Sequence, residues 1–132
     1  MKYLLDTNIC IYLINGNDPL IARVKKTGVF ALGISNATLG ELYFGAYNSK
    51  YIEANLHNIS IFKRYLTIYS DSEDSAKLFG KIKANLRKTG NIIEDFDIYI
   101  ASIAIENECI LVTNNISHFE RIDSLQIENW LE

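Results

Sequence analysis

The stretch Ile110–Asn115, with the sequence ILVTNN, predicts the centre of the fold. Three consecutive apolar residues without alternation are typical of a short strand buried on both faces, and such strands belong to parallel sheets covered by helices. The stretch Tyr3–Asn8, YLLDTN, has the same form, because a short apolar run is again followed by polar residues. Two strands of this kind favour an α/β fold.

The rest of the sequence alternates between strand-like and helix-like segments. Clusters of apolar, β-branched and aromatic residues predict further strands at Phe30–Ile34, Tyr65–Tyr69 and Leu125–Glu128. Apolar residues three or four positions apart predict helices around Ile9–Leu13 and at Thr38–Tyr47, Ile52–Arg64, Asp71–Lys88 (ending at Gly90) and Asp97–Asn107. This order predicts a single α/β domain over residues 1–132, with a mainly parallel sheet flanked by helices on both faces.

The composition excludes several classes of protein. Of 132 residues, 48% are apolar, 22% are charged and one is proline, which excludes disordered, collagen-like and disulfide-scaffold chains. No apolar run approaches the roughly 20 residues of a membrane span, and the N-terminus lacks a signal-peptide pattern. We therefore expect a cytoplasmic protein that has no membrane partner.

Cysteine and histidine are too scattered in the sequence to predict a zinc site. Cys10 and Cys109 lie far apart, as do His57 and His118, and neither pair has the spacing of zinc ligands. We expect both cysteines to be buried free thiols in a reducing compartment.

The charge is unevenly distributed along the chain, although the net charge is only −3. Residues 75–90 contain five basic residues and no acid, whereas residues 91–132 contain nine acids and one arginine. The basic helix predicts contacts to RNA phosphates through Lys77, Lys81 and Arg87. The alternative is a solvated helix face without a ligand.

Acidic or amide side chains follow the predicted strands almost every time. Asp6 follows the first strand, Glu41 lies in the first turn of the helix after the second strand, Asp97 begins a helix, and Asn115 follows the strand at Ile110. Because the carboxyl ends of parallel strands share one edge of a sheet, we expect these four side chains to converge there.

Each of these polar residues also has a purely structural explanation. Thr38 and Glu41 have the spacing of a capping box, and Asp97 would favour a helix N-terminus through the macrodipole. Asp6 would serve as an N-cap, and Asn114–Asn115 would form a turn.

Convergence of three carboxylates would require a compensating cation. Two ionised carboxylates ~4 Å apart repel each other by about 4 kcal/mol at an effective dielectric constant near 20. No lysine or arginine neighbours these strand ends in the sequence, so a divalent metal is the simplest compensation. Oxygen donors alone favour Mg²⁺ or Mn²⁺ over zinc.

The same segments resemble the successive motifs of the PIN domain, in the pattern of the VapC toxins of bacterial toxin–antitoxin pairs. The resemblance covers nearly the whole chain and rests on residues 1–8, 34–46, 97–102, 111–119 and 127–130. It implies a five-stranded parallel sheet and a Mg²⁺- or Mn²⁺-dependent endoribonuclease that cleaves tRNA or ribosomal RNA. It also implies a homodimer and a cognate protein antitoxin.

The resemblance assigns roles to individual positions. Asp6, Glu41 and Asp97 match the three acidic residues of the family's metal site, and Asn115 matches a fourth position that is Asp or Asn in the family. Hydroxyl positions that support the acids are matched by Thr7, Ser35 and Thr113, whereas Asp95 falls at a variable position.

The metal is expected to activate a water molecule for attack on the scissile phosphate. Asp6 and Asp97 would be direct ligands, and Glu41 would complete the coordination or orient the water. Tyr43, Phe44, Tyr47 and Tyr99 are candidates for stacking on bases, and core packing or a dimer contact is the favoured alternative for these aromatic residues.

Three other interpretations remain open from the sequence. A receiver-like phosphoacceptor would have adjacent acids after the first strand and a lysine after a late strand, where this chain has Thr113-Asn114-Asn115. A haloacid-dehalogenase-type phosphatase would have Asp-x-Asp after the first strand, where this chain has Asp6-Thr7-Asn8. A catalytically weak PIN-like module that binds RNA or protein is the third, because Asn115 is uncharged.

Overall fold

A computed structural model describes residues 1–131 and shows a five-stranded, wholly parallel sheet. The strands are β1 (Lys2–Leu5), β2 (Leu32–Ser35), β3 (Thr67–Tyr69), β4 (Cys109–Val112) and β5 (Ile127–Glu128). Their order across the sheet is β3-β2-β1-β4-β5, so that the two strands predicted from their apolar runs, β1 and β4, lie side by side. The predicted α/β fold and its five-stranded parallel sheet are confirmed.

Within residues 1–131, seven α-helices connect the strands and cover both faces of the sheet. They are α1 (Thr7–Ile14), α2 (Asp18–Thr27), α3 (Asn36–Tyr47), α4 (Ile52–Phe62), α5 (Glu73–Lys88), α6 (Asp95–Glu106) and α7 (Ile116–Phe119). No helix in residues 1–131 is long and apolar enough to cross a membrane.

The core is divided into two layers by the sheet. Leu4 and Leu111 pack on one face with α5 and α6, whereas their neighbours Leu5 and Val112 pack on the other face with α1, α3 and α4. Because successive side chains of a strand point to opposite faces, β1 and β4 are buried on both sides. This arrangement explains their unbroken apolar sequences.

Several predicted boundaries differ from those in the structure. The helix α2 was not predicted, although Asn17 caps it, Pro19 lies in its first turn, and Leu20 and Val24 are four positions apart on the face that packs on the core. The second strand begins at Leu32 instead of Phe30, because residues 29–31 form a 3₁₀ turn in which Phe30 is exposed. The helix α6 begins two residues earlier than predicted, at Asp95.

The helix α5 agrees closely with the prediction. Ser72 caps its N-terminus in a reciprocal arrangement with Ser75, and Gly90 follows its C-terminus with a φ of 76°. Glycine adopts this left-handed conformation without the steric cost of a Cβ atom, which explains why the helix ends there.

Gly33 in β2 allows the ring of Tyr69 to pack across the sheet. A Cβ atom at Gly33 would lie 2.4 Å from Cε2 of Tyr69 and 2.8 Å from the carbonyl oxygen of Thr67. The Thr67 oxygen belongs to the neighbouring strand β3, which pairs with β2 at Gly33, so relief of the clash requires the backbone to move.

We expect Gly33→Ala to lower the free energy of unfolding by about 1–3 kcal/mol, the usual cost of overpacking a core. Gly80→Ala in α5 is the matched control, because nothing lies within 4 Å of a Cβ atom there. The control should gain up to about 1 kcal/mol from helix propensity. Urea unfolding measures both variants, and equal stability of Gly33→Ala and the parent would contradict this packing.

Candidate active site

Asp6 occupies the junction between β1 and α1 and is almost completely buried. One carboxylate oxygen, Oδ1, accepts a hydrogen bond of 3.0 Å from the backbone N–H of Ile9, and Oδ2 accepts one from the hydroxyl of Thr113. Burial raises the pKa of Asp6, and the hydrogen bonds from Thr113 and from the backbone oppose this shift. The N-cap role is therefore real, but a capping residue does not need the second hydrogen bond.

Thr113 connects the end of β4 to this carboxylate. Its hydroxyl donates to Asp6 and accepts a hydrogen bond of 3.0 Å from the backbone N–H of Asn115. The residue is fully buried. Among the three predicted hydroxyl positions, Thr113 is the one that contacts an acid directly.

Thr7 and Ser35 form hydrogen bonds with Thr38 instead of with a carboxylate. The Thr7 hydroxyl donates to the Thr38 hydroxyl at 3.2 Å, and the Ser35 hydroxyl accepts from the Thr38 backbone N–H at 3.0 Å. Ser35 is the N-cap of α3, so these contacts join the starts of α1 and α3. Direct support of the acids by Thr7 and Ser35 is not observed, and sequence reasoning missed Thr38.

Glu41 lies in the second turn of α3, whose N-cap is Ser35. The capping-box explanation for Glu41 is therefore wrong, because that motif requires its acid at the third helical position, where Thr38 stands. The placement of Glu41 in the first turn of the helix is wrong for the same reason. Glu41 is exposed and lines the cavity described below, as well as a neighbouring one between α1, α3 and α4.

Asp97 lies in the first turn of α6, two residues after the helix begins. Burial raises its pKa most strongly; His118 opposes the shift, and the negative charges of Glu94 and Asp6 add to it. The Asp97 Oδ2 atom is 3.3 Å from Nδ1 of His118. Asp6 and Asp97 are therefore close enough for their charges to interact.

These side chains line one cavity of about 280 Å³ at the carboxyl ends of β1 and β4. All four residues predicted to converge there are present, and the lining consists of Asp6, Thr7, Asn8, Glu41, Glu94, Phe96, Asp97, Ile100, Asn115 and Phe119. Neither lysine nor arginine contributes to this lining within residues 1–131. The carboxylates thus accumulate negative charge without a basic side chain to offset it.

The donor chemistry of the cavity fits a hard divalent cation, because carboxylate and amide oxygens are the ligands that Mg²⁺ and Mn²⁺ prefer. In the part of the chain that the structure describes, no three Asp, Glu, His or Cys side chains are grouped tightly enough to hold one ion. Of the three carboxylates, Asp6 is buried, Asp97 is half-buried and Glu41 is exposed.

Two residues of the site were missed from the sequence. Glu94 precedes α6 and lines the cavity, whereas His118 in α7 contacts both Asp97 and Asn115. Asn115 and His118 are three positions apart, so a helical turn places them on one face, and this spacing was an available signal. Asp95, by contrast, forms an ion pair of 2.9 Å with Lys83 and is absent from the cavity lining.

The basic residues of α5 differ in their pairing. Lys77 forms an exposed ion pair of 3.6 Å with Glu73, and Lys83 is paired with Asp95. Lys81 and Arg87 form no ion pair with any of the residues 1–131. These two side chains, together with Lys88, which is also exposed and absent from the ion pairs of residues 1–131, are thus more available to an external anion than Lys77 and Lys83.

The aromatic candidates for base stacking divide into two groups. The Tyr99 ring stacks on Phe79 with centroids 4.1 Å apart, and Tyr43 packs against the core, as the core-packing alternative predicts. Phe44 and Tyr47 lie one turn apart on α3 and are 65% and 62% exposed. Both cysteines are free and buried, as predicted.

Known proteins resemble this chain over nearly its full length. Residues 3–125 match the family model of the PIN domain. Ribonuclease VapC2 of Haemophilus influenzae is 41% identical over 131 residues, which cover 99% of each protein. The tRNA(fMet)-specific endonuclease VapC of Shigella flexneri is 35% identical over 130 residues, with 98% of each covered.

The fold is also similar to a solved structure. The crystal structure of VapBC2 from Rickettsia felis bound to a promoter DNA fragment contains a chain that is 37% identical, with a TM-score of 0.92. The superposition covers 98% of this chain and 99% of that one.

Proposed function

Because the chain belongs to the VapC ribonucleases of the PIN-domain family, we propose that it is a Mg²⁺- or Mn²⁺-dependent endoribonuclease toxin neutralised by a cognate protein antitoxin. The cavity that collects Asp6, Glu41, Asp97 and Asn115 carries this proposal. A buried carboxylate that receives two hydrogen bonds and faces further acids is costly unless a cation balances the charge.

The residues of the cavity have distinct roles in this proposal. Asp6 and Asp97 would be direct metal ligands, and Glu41 would complete the coordination or orient the attacking water. A bound Mg²⁺ or Mn²⁺ supplies activation of water and offsets the charge of the scissile phosphate. Thr113 holds the Asp6 carboxylate in place, and Asn115 adds an amide without adding negative charge.

The proposed substrate is a cellular RNA, either tRNA or ribosomal RNA. The 35% identity to a tRNA(fMet)-specific endonuclease supports a structured RNA as substrate. Induced expression followed by sequencing of newly formed RNA 5′ ends tests this proposal. One recurrent cleavage site in a tRNA or ribosomal RNA is expected, and intact RNA during growth arrest would contradict it.

The unpaired basic residues of α5 are the proposed phosphate contacts. Lys81→Ala together with Arg87→Ala should weaken RNA binding and reduce the salt dependence, the slope changing by about one unit per lost contact. Binding titrations over a range of salt concentrations, with the catalytically impaired Asp6→Asn protein as background, measure this slope.

The control carries the same charge change on another helix. Lys25 and Lys26 lie in the last turn of α2. Their double alanine variant should keep the parent slope. If the α5 variant also kept the parent slope, Lys81 and Arg87 would belong to a solvated helix face.

We also propose a homodimer and an antitoxin complex in the cytoplasm. The exposed Phe44 and Tyr47 of α3 support a protein contact, since apolar surface of this kind is usually covered by a partner. The Rickettsia felis relative is known from a VapBC2 structure, which supports a partner protein for this chain. Sedimentation should give about twice the 15.0 kDa chain mass, and a monomer at micromolar concentration would contradict the homodimer.

A further inference from the structure

A second cavity lies beside the one that contains Asp6, at the same edge of the sheet. It measures about 190 Å³ and is lined by Asn36, Ala37, Asp71, Phe96, Tyr99 and Ile103. Asn36 follows β2 directly, and Asp71 lies between β3 and α5, so this cavity is located at the carboxyl ends of β2 and β3. Open parallel sheets bind their ligands at this edge.

Phe96 forms a wall that the two cavities share. It lines the second cavity and also the one that collects Asp6, Glu41 and Asp97. The helix α3 contributes to both cavities as well, with Asn36 at its start and Glu41 in its second turn. An RNA strand whose scissile phosphate lies at the proposed metal site would therefore place a neighbouring nucleotide at the second cavity.

One side of the second cavity is a face of α6. Phe96, Tyr99 and Ile103 are three and four positions apart, so they share one face of this helix. The Tyr99 ring is held by Phe79 of α5, on which it stacks with centroids 4.1 Å apart and an interplanar angle of 16°. The face is thus aromatic and apolar, which is the kind of surface that takes up an unpaired RNA base.

The polar groups of the second cavity favour a ligand that donates hydrogen bonds. Asp71 is exposed and forms no ion pair with any of the residues 1–131, and its carboxylate can only accept hydrogen bonds. Neither lysine nor arginine lines this cavity in the described part of the chain, which disfavours a phosphate as its occupant.

Guanine matches these groups better than the other three RNA bases. It alone has two adjacent N–H donors on one edge, at N1 and at the 2-amino group, and these fit the two oxygens of a carboxylate. The side-chain amide of Asn36 supplies a donor for the guanine O6 atom. The volume of about 190 Å³ lies below the roughly 300–1,000 Å³ of sites for drug-sized ligands, which suits a single base.

We propose that the second cavity binds the guanine base of a nucleotide next to the scissile phosphate, and that Asp71 recognises this base. The inference rests on the proposed function, because it requires an RNA strand at the cavity that contains Asp6. Asp71 is then a specificity-determining residue that contacts the substrate without contacting the metal.

Cleavage of an RNA with a randomised single-stranded loop, followed by sequencing of the cleaved ends, tests the proposal. In the presence of Mn²⁺, the parent should favour guanine at one position beside the cut by about fivefold or more, which is the discrimination of a good bidentate contact. Asp71→Asn should change this preference from guanine to adenine, because an asparagine amide pairs bidentately with adenine. An identical base profile in the parent and in Asp71→Asn would overturn the proposal.

Inosine tests the contact with the 2-amino group, which this base lacks. Replacement of the favoured guanine by inosine should slow cleavage by the parent and leave cleavage by Asp71→Asn unchanged. Equal slowing in both proteins would contradict recognition by Asp71.

Two further variants separate base recognition from other effects. Asp74→Asn is the matched control, because Asp74 is an exposed acid three positions away that does not line the cavity, and it should keep the parent profile. Ala37→Leu partly fills the cavity without a change of charge and should reduce the preference for guanine. A changed profile in Asp74→Asn, or an unchanged one in Ala37→Leu, would overturn the proposal.

A protein contact at the second cavity would give a different result. If Asp71→Asn changed the sedimenting mass of the protein but kept the parent base profile, the cavity would be a contact between subunits. That outcome would also overturn the role of Asp71 in base recognition.

Failure of this inference is distinguishable from failure of the proposed function. If the parent cleaves RNA and Asp6→Asn does not, the proposed function stands, and a uniform base profile would overturn only the role of Asp71. If the parent cleaves no RNA, selection of the same randomised RNA by binding to the parent decides about the cavity. Enrichment of guanine that is lost in Asp71→Asn would support a base site, and no enrichment would overturn it.

Discussion

Replacement of Asp6 by Asn should reduce RNA cleavage by at least about a hundredfold while the protein remains folded. The reason is that Asp6 is the most deeply buried acid of the cavity and would be a direct metal ligand. Residues that only orient metal ligands already cost 10–100-fold when they are replaced, so a ligand should cost more. Asn keeps an oxygen for the N–H of Ile9 and caps helices about as well as Asp, which preserves the start of α1.

Cleavage of total RNA in the presence of Mn²⁺ measures this effect, and thermal melting verifies the fold. Glu41→Gln and Asp97→Asn should also lose activity. Asp95→Asn is the matched control, because Asp95 pairs with Lys83 and does not line the cavity. Full activity in any of the three cavity variants would remove that residue from the site, and loss in the control without unfolding would show that the wrong acid was assigned.

The second large effect concerns stability without metal, where Asp97→Asn should raise the melting temperature. Burial raises the pKa of Asp97, and the charges of Glu94 and Asp6 add to it. A carboxyl group with a raised pKa stabilises the fold below its unfolded pKa, and this contribution is lost as the pH rises through the folded pKa. At neutral pH the ionised Asp97 therefore destabilises the metal-free protein, and Asn should restore on the order of 1 kcal/mol.

The stabilisation of the protein by bound metal should be smaller in Asp97→Asn than in the parent. Saturation at a hundred times the dissociation constant stabilises a protein by about 2.7 kcal/mol, so Mn²⁺ should stabilise the parent strongly and Asp97→Asn much less. Thermal melts of both proteins after chelation, with and without Mn²⁺, test both effects. If Asp97 only favours the start of α6, its loss costs about 0.3–1 kcal/mol with or without metal, and that pattern would contradict the site.

The raised pKa values of Asp6 and Asp97 also predict that the stability of the metal-free protein depends on pH. Burial raises the pKa of both Asp6 and Asp97 above their ordinary value of 3.8. The stability of the metal-free parent should therefore fall as the pH rises above that value. In Asp97→Asn this fall should be smaller, because one of the two groups no longer titrates.

The sequence predicted the parts of the molecule whose signal is local. The strands β1 and β4 were found because burial on both faces requires unbroken apolar runs, and α5 because its caps and apolar face are both present. The helix α2 was missed although its N-cap Asn17, its early proline and the helical spacing of Leu20 and Val24 were local signals. The start of β2 was misplaced because the exposed Phe30 has the strand propensity of an aromatic residue but lies in a turn.

Some residues of the site could likewise be predicted from the order of the strands, whereas others depend on how the helices pack. Asp6 and Asn115 follow neighbouring strands, so parallel topology was enough to predict that they meet. The contact of His118 with Asp97 depends on how the short helix α7 packs beside α6, which no local pattern specifies. The role of Thr38, which joins α1 and α3, likewise arises only from packing.

RNA cleavage by the chelated protein, measured before and after Mg²⁺ or Mn²⁺ is restored, tests the central claim most directly. The expected result is no cleavage under chelation, recovery in the parent when either ion is added, and no recovery in Asp6→Asn. RNA binding without cleavage under every metal condition would show a binding module instead of an enzyme. Cleavage that persists under chelation, or that survives in Asp6→Asn, would contradict a metal-dependent nuclease built on this cavity.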